Sequence, residues 1–345
     1  MKGLVYNGPQ AIEWQDVAEP QIVEDGDIIV AVKCCSICGS DLHIYGGDTF
    51  SDATGYCVGH EAVGEVVEIG KGVRQRRVGE RVMLPAAVGC GRCARCLAGD
   101  ILRCEYDLQS CYGLSPALQG SQAEAVRVPA GDFNAYAIPD GLTDEQALML
   151  TDAAPTAWYG CELARFGPGR TVVVLGLGPI GLMAVEQAFV LGAARVFAID
   201  PVAERRSRAD ALGAVTLAPE EAVDHIREAT GGRLADSVLE AAGTSSALAL
   251  ALDLVRREGV VGAIGVNLSP GFELPYGRLF MHGVTLAIGT CSVPRYYPAL
   301  VPLLQNGRLR PEQFVSGRMP LSAGPEAYAS LDRRQADALK IILLP

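Results

Sequence analysis

Positive charge is in short supply in this 345-residue chain, where 29 Lys and Arg face 40 Asp and Glu for a formal net charge of -11 at pH 7. Sequence-independent nucleic-acid binding needs cations to neutralise phosphates, and so does an anionic membrane surface; neither partner is expected. Long apolar runs are missing too. Stretches such as Thr171 to Leu175 are broken by glycine far short of a membrane span. The N-terminal "MKGLVYNGPQAIEW" has no apolar core of signal-peptide length, which makes a cytoplasmic location the expectation. Neither an internal repeat at a solenoid period nor a low-complexity tract is found.

What is present describes a globular chain. Hydrophobic residues make up 49% and charged residues 20%, and the length predicts two domains rather than one core. Eleven cysteines would suggest disulfides in a small secreted chain, which this is not. Four of them, Cys90, Cys93, Cys96 and Cys104, lie in "GCGRCARCLAGDILRC" with gaps of two, two and seven residues. Short loops let successive thiolates turn onto one centre, and four thiolates close a tetrahedral zinc site with no vacant position, so the spacing predicts structural zinc. No ferredoxin cysteine–proline pattern follows to favour iron–sulfur. A nucleic-acid-binding zinc ribbon is a separate reading of this lobe alone, and the acidic balance opposes it.

Residues 1–151 carry short alternating runs bounded by turn residues, such as "GDIIVAVKCC" and "VGERVMLP", and read as a mostly β domain with the four-cysteine lobe, 89–105, inserted. From Asp152 to residue 290 the texture changes. "RTVVVLGLGPIGLMAVEQAFVLGAARVFAID" is an apolar run, a glycine turn, a helical stretch and a second apolar run, and further units follow at "ADSVLEAAG", "GVVGAIGVN" and "GVTLAIGTC". That alternation predicts a parallel, doubly wound α/β sheet. Residues 291–345 are amphipathic and are expected to return to the first domain.

In the turn "GLGPIG", Gly176, Gly178 and Gly181 match a dinucleotide fingerprint that also takes in Pro179 and Ile180: one glycine for the turn, one for close approach of a pyrophosphate, one for helix–strand contact. Asp200 ends the next strand nineteen residues beyond Gly181, where a carboxylate accepts hydrogen bonds from an adenosine ribose and repels a 2′-phosphate. NAD is therefore the expected cofactor, with Arg205 close by. Upstream, "GYCVGHEAVGEVVEIG" sets His60 and Glu61 at the mouth of an apolar strand. Taken alone, the pair fits a satisfied histidine near a strand end or a hydrophilic loop as well as a functional site.

"CGSDLH", "GHEAVGEVVEIGKGV", the four-cysteine lobe and "GLGPIG" with Asp200 follow one another at spacings that resemble the zinc-containing medium-chain alcohol dehydrogenases, over essentially the full chain. The resemblance implies a GroES-like catalytic domain joined to a Rossmann domain. It also implies two zinc ions per chain, one structural and one catalytic, and a homo-dimer or homo-tetramer. Cys38 and His60 then become catalytic zinc ligands, and Asp152 falls at the third ligand, as in the carboxylate variant of bacterial members. An oxygen donor leaves cobalt or iron open as alternative metals, and Cys57, Cys111 and Cys161 open as alternative ligands. The same resemblance makes Glu61 an alternate ligand, Ser40 and His43 a proton path, and Thr156 a contact to the nicotinamide. Lys340 is implied to approach the coenzyme phosphate, and the residue after "ERVMLP", Ala86, to line the substrate pocket. The implied reaction is hydride transfer between a small-molecule alcohol, secondary or bulky, and NAD. A polyol, an amino-acid hydroxyl or a formaldehyde adduct is the alternative substrate within the family. A catalytically inactive dinucleotide-binding protein is the alternative outside it.

Overall fold

A computed structural model describes residues 1–48, 51–106, 111–333 and 338–345. The amphipathic C-terminal stretch noted in the sequence thus includes four residues, 334–337, that lie outside the described residues. The chain divides into two compact units, one formed by Met1–Pro155 with Cys291–Pro345 and the other by Thr156–Thr290. The first unit extends four residues, Asp152 to Pro155, beyond the boundary expected after residue 151. Its hold on that segment is direct: the Ala86 amide donates to the Thr151 carbonyl at 3.0 Å, and Asp152 itself meets Cys38 and His60.

The first unit is built on two sheets. In the larger one the strands Val315–Pro320, Lys340–Leu344, Ile28–Ser36, Glu61–Ile69, Arg81–Leu84 and Tyr136–Ala137 lie side by side in that order, and Ala125–Val128 also pairs with Ile28–Ser36. The last strand of the chain therefore inserts next to one of the first, with Ile342 opposite Ser36, and Ser36 in turn is opposite Glu61. This register aligns Lys340, Ser36 and Glu61 at one end of three neighbouring strands. The smaller sheet is Ala11–Asp16, Lys2–Gly8 and Tyr56–Cys57. Alternating Val, Ile and Ala from these strands fill a common core, joined by Tyr45 and Tyr328, whose ring centroids are 5.6 Å apart.

The second unit has a single six-stranded sheet in which every pairing is parallel. Across it lie the strands Val215–Leu217, Arg195–Ile199, Thr171–Leu175, Ala235–Glu240, Val255–Ala263 and Thr285–Ile288. The order reverses beside the central strand Thr171–Leu175, and such a switch point opens a crevice at the carboxyl ends of the strands. Val172, Val173 and Val174 are all fully buried, which explains their unbroken apolar run: a central parallel strand is covered on both faces. Gly176 follows that strand with φ of +87°, and a Cβ there would come within 2.7 Å of the Ala242 amide nitrogen. A Cβ on Gly181 would lie 1.8 Å from the Gly176 carbonyl oxygen, whereas at Gly178 it would meet nothing within 4 Å. Two glycines thus serve the turn itself, and the third leaves open space at the start of the helix Pro179–Val190. No described helix is long and apolar enough to cross a membrane.

Candidate active site

His60 owes its position to the residue before it. Gly59 has φ of +90°, and a Cβ there would lie 2.3 Å from Gln122 Cγ, so only glycine lets the chain turn at this point beneath the Gln122 side chain. The turn delivers the imidazole, 3% exposed, to a spot between two loops. Cys38, at the N-terminus of the helix Gly39–Gly46, comes from one side, and Asp152, just before the helix Ala153–Leu163, comes from the other. Cys38 Sγ is 3.4 Å from Asp152 Oδ2, and His60 Nε2 is 3.7 Å from the same oxygen. All three donor atoms lie within 4.8 Å of one another.

These separations suit zinc. Donors at about 2.0–2.3 Å from a tetrahedral ion stand roughly 3.4–3.6 Å apart, and a thiolate, an imidazole and a carboxylate are all acceptable ligands. The electrostatics agree. Burial pushes the Cys38 thiol up, and the Asp152 and Glu61 carboxylates push it further. Burial alone would lower His60, yet the Asp41 charge and the neighbouring Asp152 carboxylate hold it well above the usual imidazole range. A site that gathers this much anionic character in a buried space is one that a dication relieves.

Around the three donors, Ser40 Oγ is 3.2 Å from His60 Nε2, and His43 lies half-buried one helical turn beyond Ser40. Glu61 is fully buried and does not join the three-donor group. Its Oε2 accepts from Ser36 Oγ at 2.5 Å and pairs with the Lys340 ammonium, while its Oε1 is buried without a hydrogen-bond partner. Lys340 corrects the expectation drawn for it. The side chain is 2% exposed, and Nζ also donates to the Ile37 carbonyl at 3.3 Å, so its charge is committed to Glu61 rather than offered to a coenzyme phosphate. Burial alone would lower its pKa; the Glu61 charge outweighs this and raises it. None of the alternative thiols reaches the group: Cys57 packs against Val5 and Ala123, Cys111 donates to the Ala86 carbonyl at 3.0 Å, and Cys161 donates to the Ala184 carbonyl at 3.7 Å.

The sequence reading assigned no role to Asp41. The structure puts its Oδ1 3.2 Å from His60 Nδ1, while its Oδ2 accepts from the Cys38 amide at 2.9 Å. Asp41 and His60 are in ion-pair contact rather than hydrogen-bond alignment, and a carboxylate held behind a histidine in this way orients the ring for a metal on its other nitrogen. The signal was within "CGSDLH", but only the fold shows which histidine Asp41 faces.

In the four-cysteine lobe, Cys90, Cys93, Cys96 and Cys104 form a second group whose sulfur atoms also lie within 4.8 Å of one another. Backbone amides aim at these sulfurs, Cys93 N to Cys90 Sγ at 3.3 Å and Cys90 N to Cys104 Sγ at 3.4 Å. Amide donation from Glu105 and Cys96 holds the Cys93 thiol below its usual range, while burial pushes its neighbour Cys96 up. Four sulfur donors leave no position open, so this site suits a structural ion.

In the second unit, Asp200 Oδ2 accepts from the Leu177 amide at 2.7 Å and Oδ1 from the Val202 amide at 2.8 Å. The carboxylate is thereby fixed at the glycine turn with acceptor capacity to spare. Arg205 reaches 3.9 Å from Asp200 Oδ2, and Thr156 is half-buried on the helix Ala153–Leu163.

Residues 24–140 match the alcohol dehydrogenase GroES-like domain and residues 179–306 the zinc-binding dehydrogenase domain. A probable zinc-binding alcohol dehydrogenase of Mycobacterium tuberculosis is 38% identical over 346 residues, covering 100% of this chain and 89% of that protein. Among solved structures, the alcohol dehydrogenase TADH from Thermus sp. ATN1 superposes with a TM-score of 0.93 at 38% identity, covering 100% of this chain and 99% of that one. The 2R,3R-butanediol dehydrogenase of Bacillus subtilis gives 0.85 at 26% identity, covering 100% and 99%. The chain belongs to the zinc-containing medium-chain alcohol dehydrogenase family, and it is an oxidoreductase of the alcohol dehydrogenase type.

Proposed function

We propose that this protein interconverts a secondary or bulky alcohol and its carbonyl product with NAD as hydride carrier and zinc as the catalytic metal. The observation that carries the reading is the convergence of Cys38, His60 and Asp152: three donors make a tetrahedral site one ligand short, whereas the four-cysteine lobe is closed. Bound zinc would supply a Lewis acid for the substrate oxygen, and bound NAD would accept the hydride. The chain's own residues do the rest. Ser40 Oγ, next to His60, takes the hydroxyl proton of the substrate as it gives up its own, and His43, one turn along the same helix, receives the released proton on its way to the surface. Glu61 keeps one oxygen without a hydrogen-bond partner, which leaves it as the alternate ligand. In the second unit, Gly178 leaves room for the pyrophosphate, Thr156 contacts the nicotinamide, and Asp200 holds the adenosine ribose.

The preference for substituted alcohols rests on Ala86, whose small side chain follows the strand Arg81–Leu84 and whose amide is bonded to the residue before Asp152. The butanediol dehydrogenase relative is named for a secondary alcohol, in keeping with this. An assay of primary and secondary alcohols and ketones with NAD and NADP, together with metal analysis, tests the whole reading. About two zinc ions per chain, NAD preference and turnover of 2-butanol at least equal to that of ethanol are expected. A single zinc per chain or a preference for NADP would refute the corresponding part.

We further place the protein in the cytoplasm as a homo-oligomer. None of the eleven cysteines is in a disulfide, in keeping with a reducing compartment. Tyr276, Phe280, Met281 and Ile288 are 69–76% exposed on the helix Tyr276–His282 and the edge strand Thr285–Ile288, an apolar surface that a second copy would cover. Light scattering of the purified protein measures the assembly.

A further inference from the structure

Behind Asp41 lies a polar chain that no part of the reaction uses. Gln122 is fully buried, 62 positions beyond His60, and its segment is fastened to the backbone that delivers the histidine: Ser121 N donates to the Gly59 carbonyl at 2.8 Å and Gln122 N to the Val58 carbonyl at 3.0 Å. Its carboxamide nitrogen donates to the Ser36 carbonyl at 3.1 Å and lies 3.4 Å from Asp41 Oδ2. Both of those groups only accept, so the amide has one workable orientation. Its oxygen in turn accepts from the Tyr328 hydroxyl at 2.8 Å. Burial, followed by the Asp41 charge, pushes that hydroxyl well above the usual tyrosine range, so it stays a donor. The Gln122 side chain also occupies the space over Gly59 where a Cβ would clash.

We propose that Gln122, clamped by Tyr328, is a positioning residue for the catalytic metal: it fixes the Asp41 carboxylate and the Gly59 turn, and these two together aim His60 Nε2 at the ion. The proposal rests on the reading of Cys38, His60 and Asp152 as a metal set. Its geometry is specific. One residue holds the histidine from both ends, through the backbone before it and through the carboxylate behind its far ring nitrogen.

The test compares the zinc-loaded wild-type protein with Gln122→Met, Tyr328→Phe and the double variant, following zinc release to a chromophoric chelator. The four-cysteine site serves as the internal reference. Gln122→Met keeps the side-chain length and removes the donor; Tyr328→Phe removes one oxygen and keeps the ring against Tyr45. Outer partners of metal ligands change affinity by about 10–100-fold, and Gln122 acts at one remove, so about tenfold faster release from the three-donor site is expected. Tyr328→Phe should show a smaller effect in the same direction, and the double variant should match Gln122→Met, because the two act in series. With cobalt at the three-donor site, the visible absorption should shift in Gln122→Met. Unchanged release and spectrum, equal acceleration at both sites, or additive effects of the two substitutions would overturn the proposal. A wild-type protein that binds metal only at the four cysteines would overturn the underlying metal reading, and the wild-type metal count reveals that before any variant is made.

Discussion

Lys340→Met separates two roles that a buried cation near a coenzyme enzyme's metal site can have. The ammonium and the Glu61 carboxylate are both essentially shielded from water, and among the described residues Glu61 has Ser36 Oγ alone besides Lys340 to satisfy it. Removing the lysine leaves a charge in the interior facing one hydroxyl. Breaking a buried ion pair in this one-sided way costs about 3–5 kcal/mol, a large share of the roughly 5–15 kcal/mol that stabilises a typical domain. Replacing the pair on both sides, as Lys340→Met with Glu61→Gln, leaves no charge to shelter and should recover most of the loss. Because a two-unit chain need not unfold in one step, the first unit has to be followed by itself. The chain has two tryptophans. Trp14 packs on the core of the first unit, so its fluorescence in a Trp158→Phe background reports urea unfolding of that unit. NAD affinity measured on the same proteins gives the contrast. A Lys340→Met protein of unchanged stability but weakened NAD binding would refute the ion-pair argument and return Lys340 to the coenzyme phosphate.

Three further substitutions probe the site. Asp152→Asn removes the anionic donor at nearly constant shape, so zinc at the three-donor site should fall well below one per chain and turnover should drop by more than about 100-fold, with NAD affinity retained. Asp200→Gly should weaken NAD binding by the worth of hydrogen bonds to a charged group, about 1.5–3 kcal/mol, and should leave NADP binding unaffected or improved; binding titrations with both cofactors measure this. Ala86→Phe should lower kcat/KM for 2-butanol by roughly 10–200-fold relative to ethanol through overpacking beside the metal, and an unchanged ratio would remove Ala86 from the pocket.

What could be read from the sequence and what could not divide by the distance along the chain. The four-cysteine lobe and the glycine turn are written within sixteen residues or fewer, and each is a local device: closely spaced thiols for an ion, glycines where a Cβ would come within 3 Å of neighbouring backbone. The parallel sheet was legible for a related reason, because fully buried strands repeat as apolar runs between helices. The neighbours of the three-donor group were not legible. Lys340 reaches Glu61 across 279 positions and Gln122 reaches Asp41 across 81, and nothing near either residue marks it as buried or paired. What fixes the first contact is strand register, for the final strand enters beside Ile28–Ser36 with Ile342 opposite Ser36, and Ser36 is opposite Glu61; what fixes the second is the backbone bonding of Gln122 to Leu4 and Val58. A shift of one residue would turn Lys340 to the other face of the sheet and leave the Glu61 carboxylate buried alone. The charge at the start of the last strand is therefore part of the surroundings of the three-donor group, and the last strand of the chain has to be in register before those surroundings are complete.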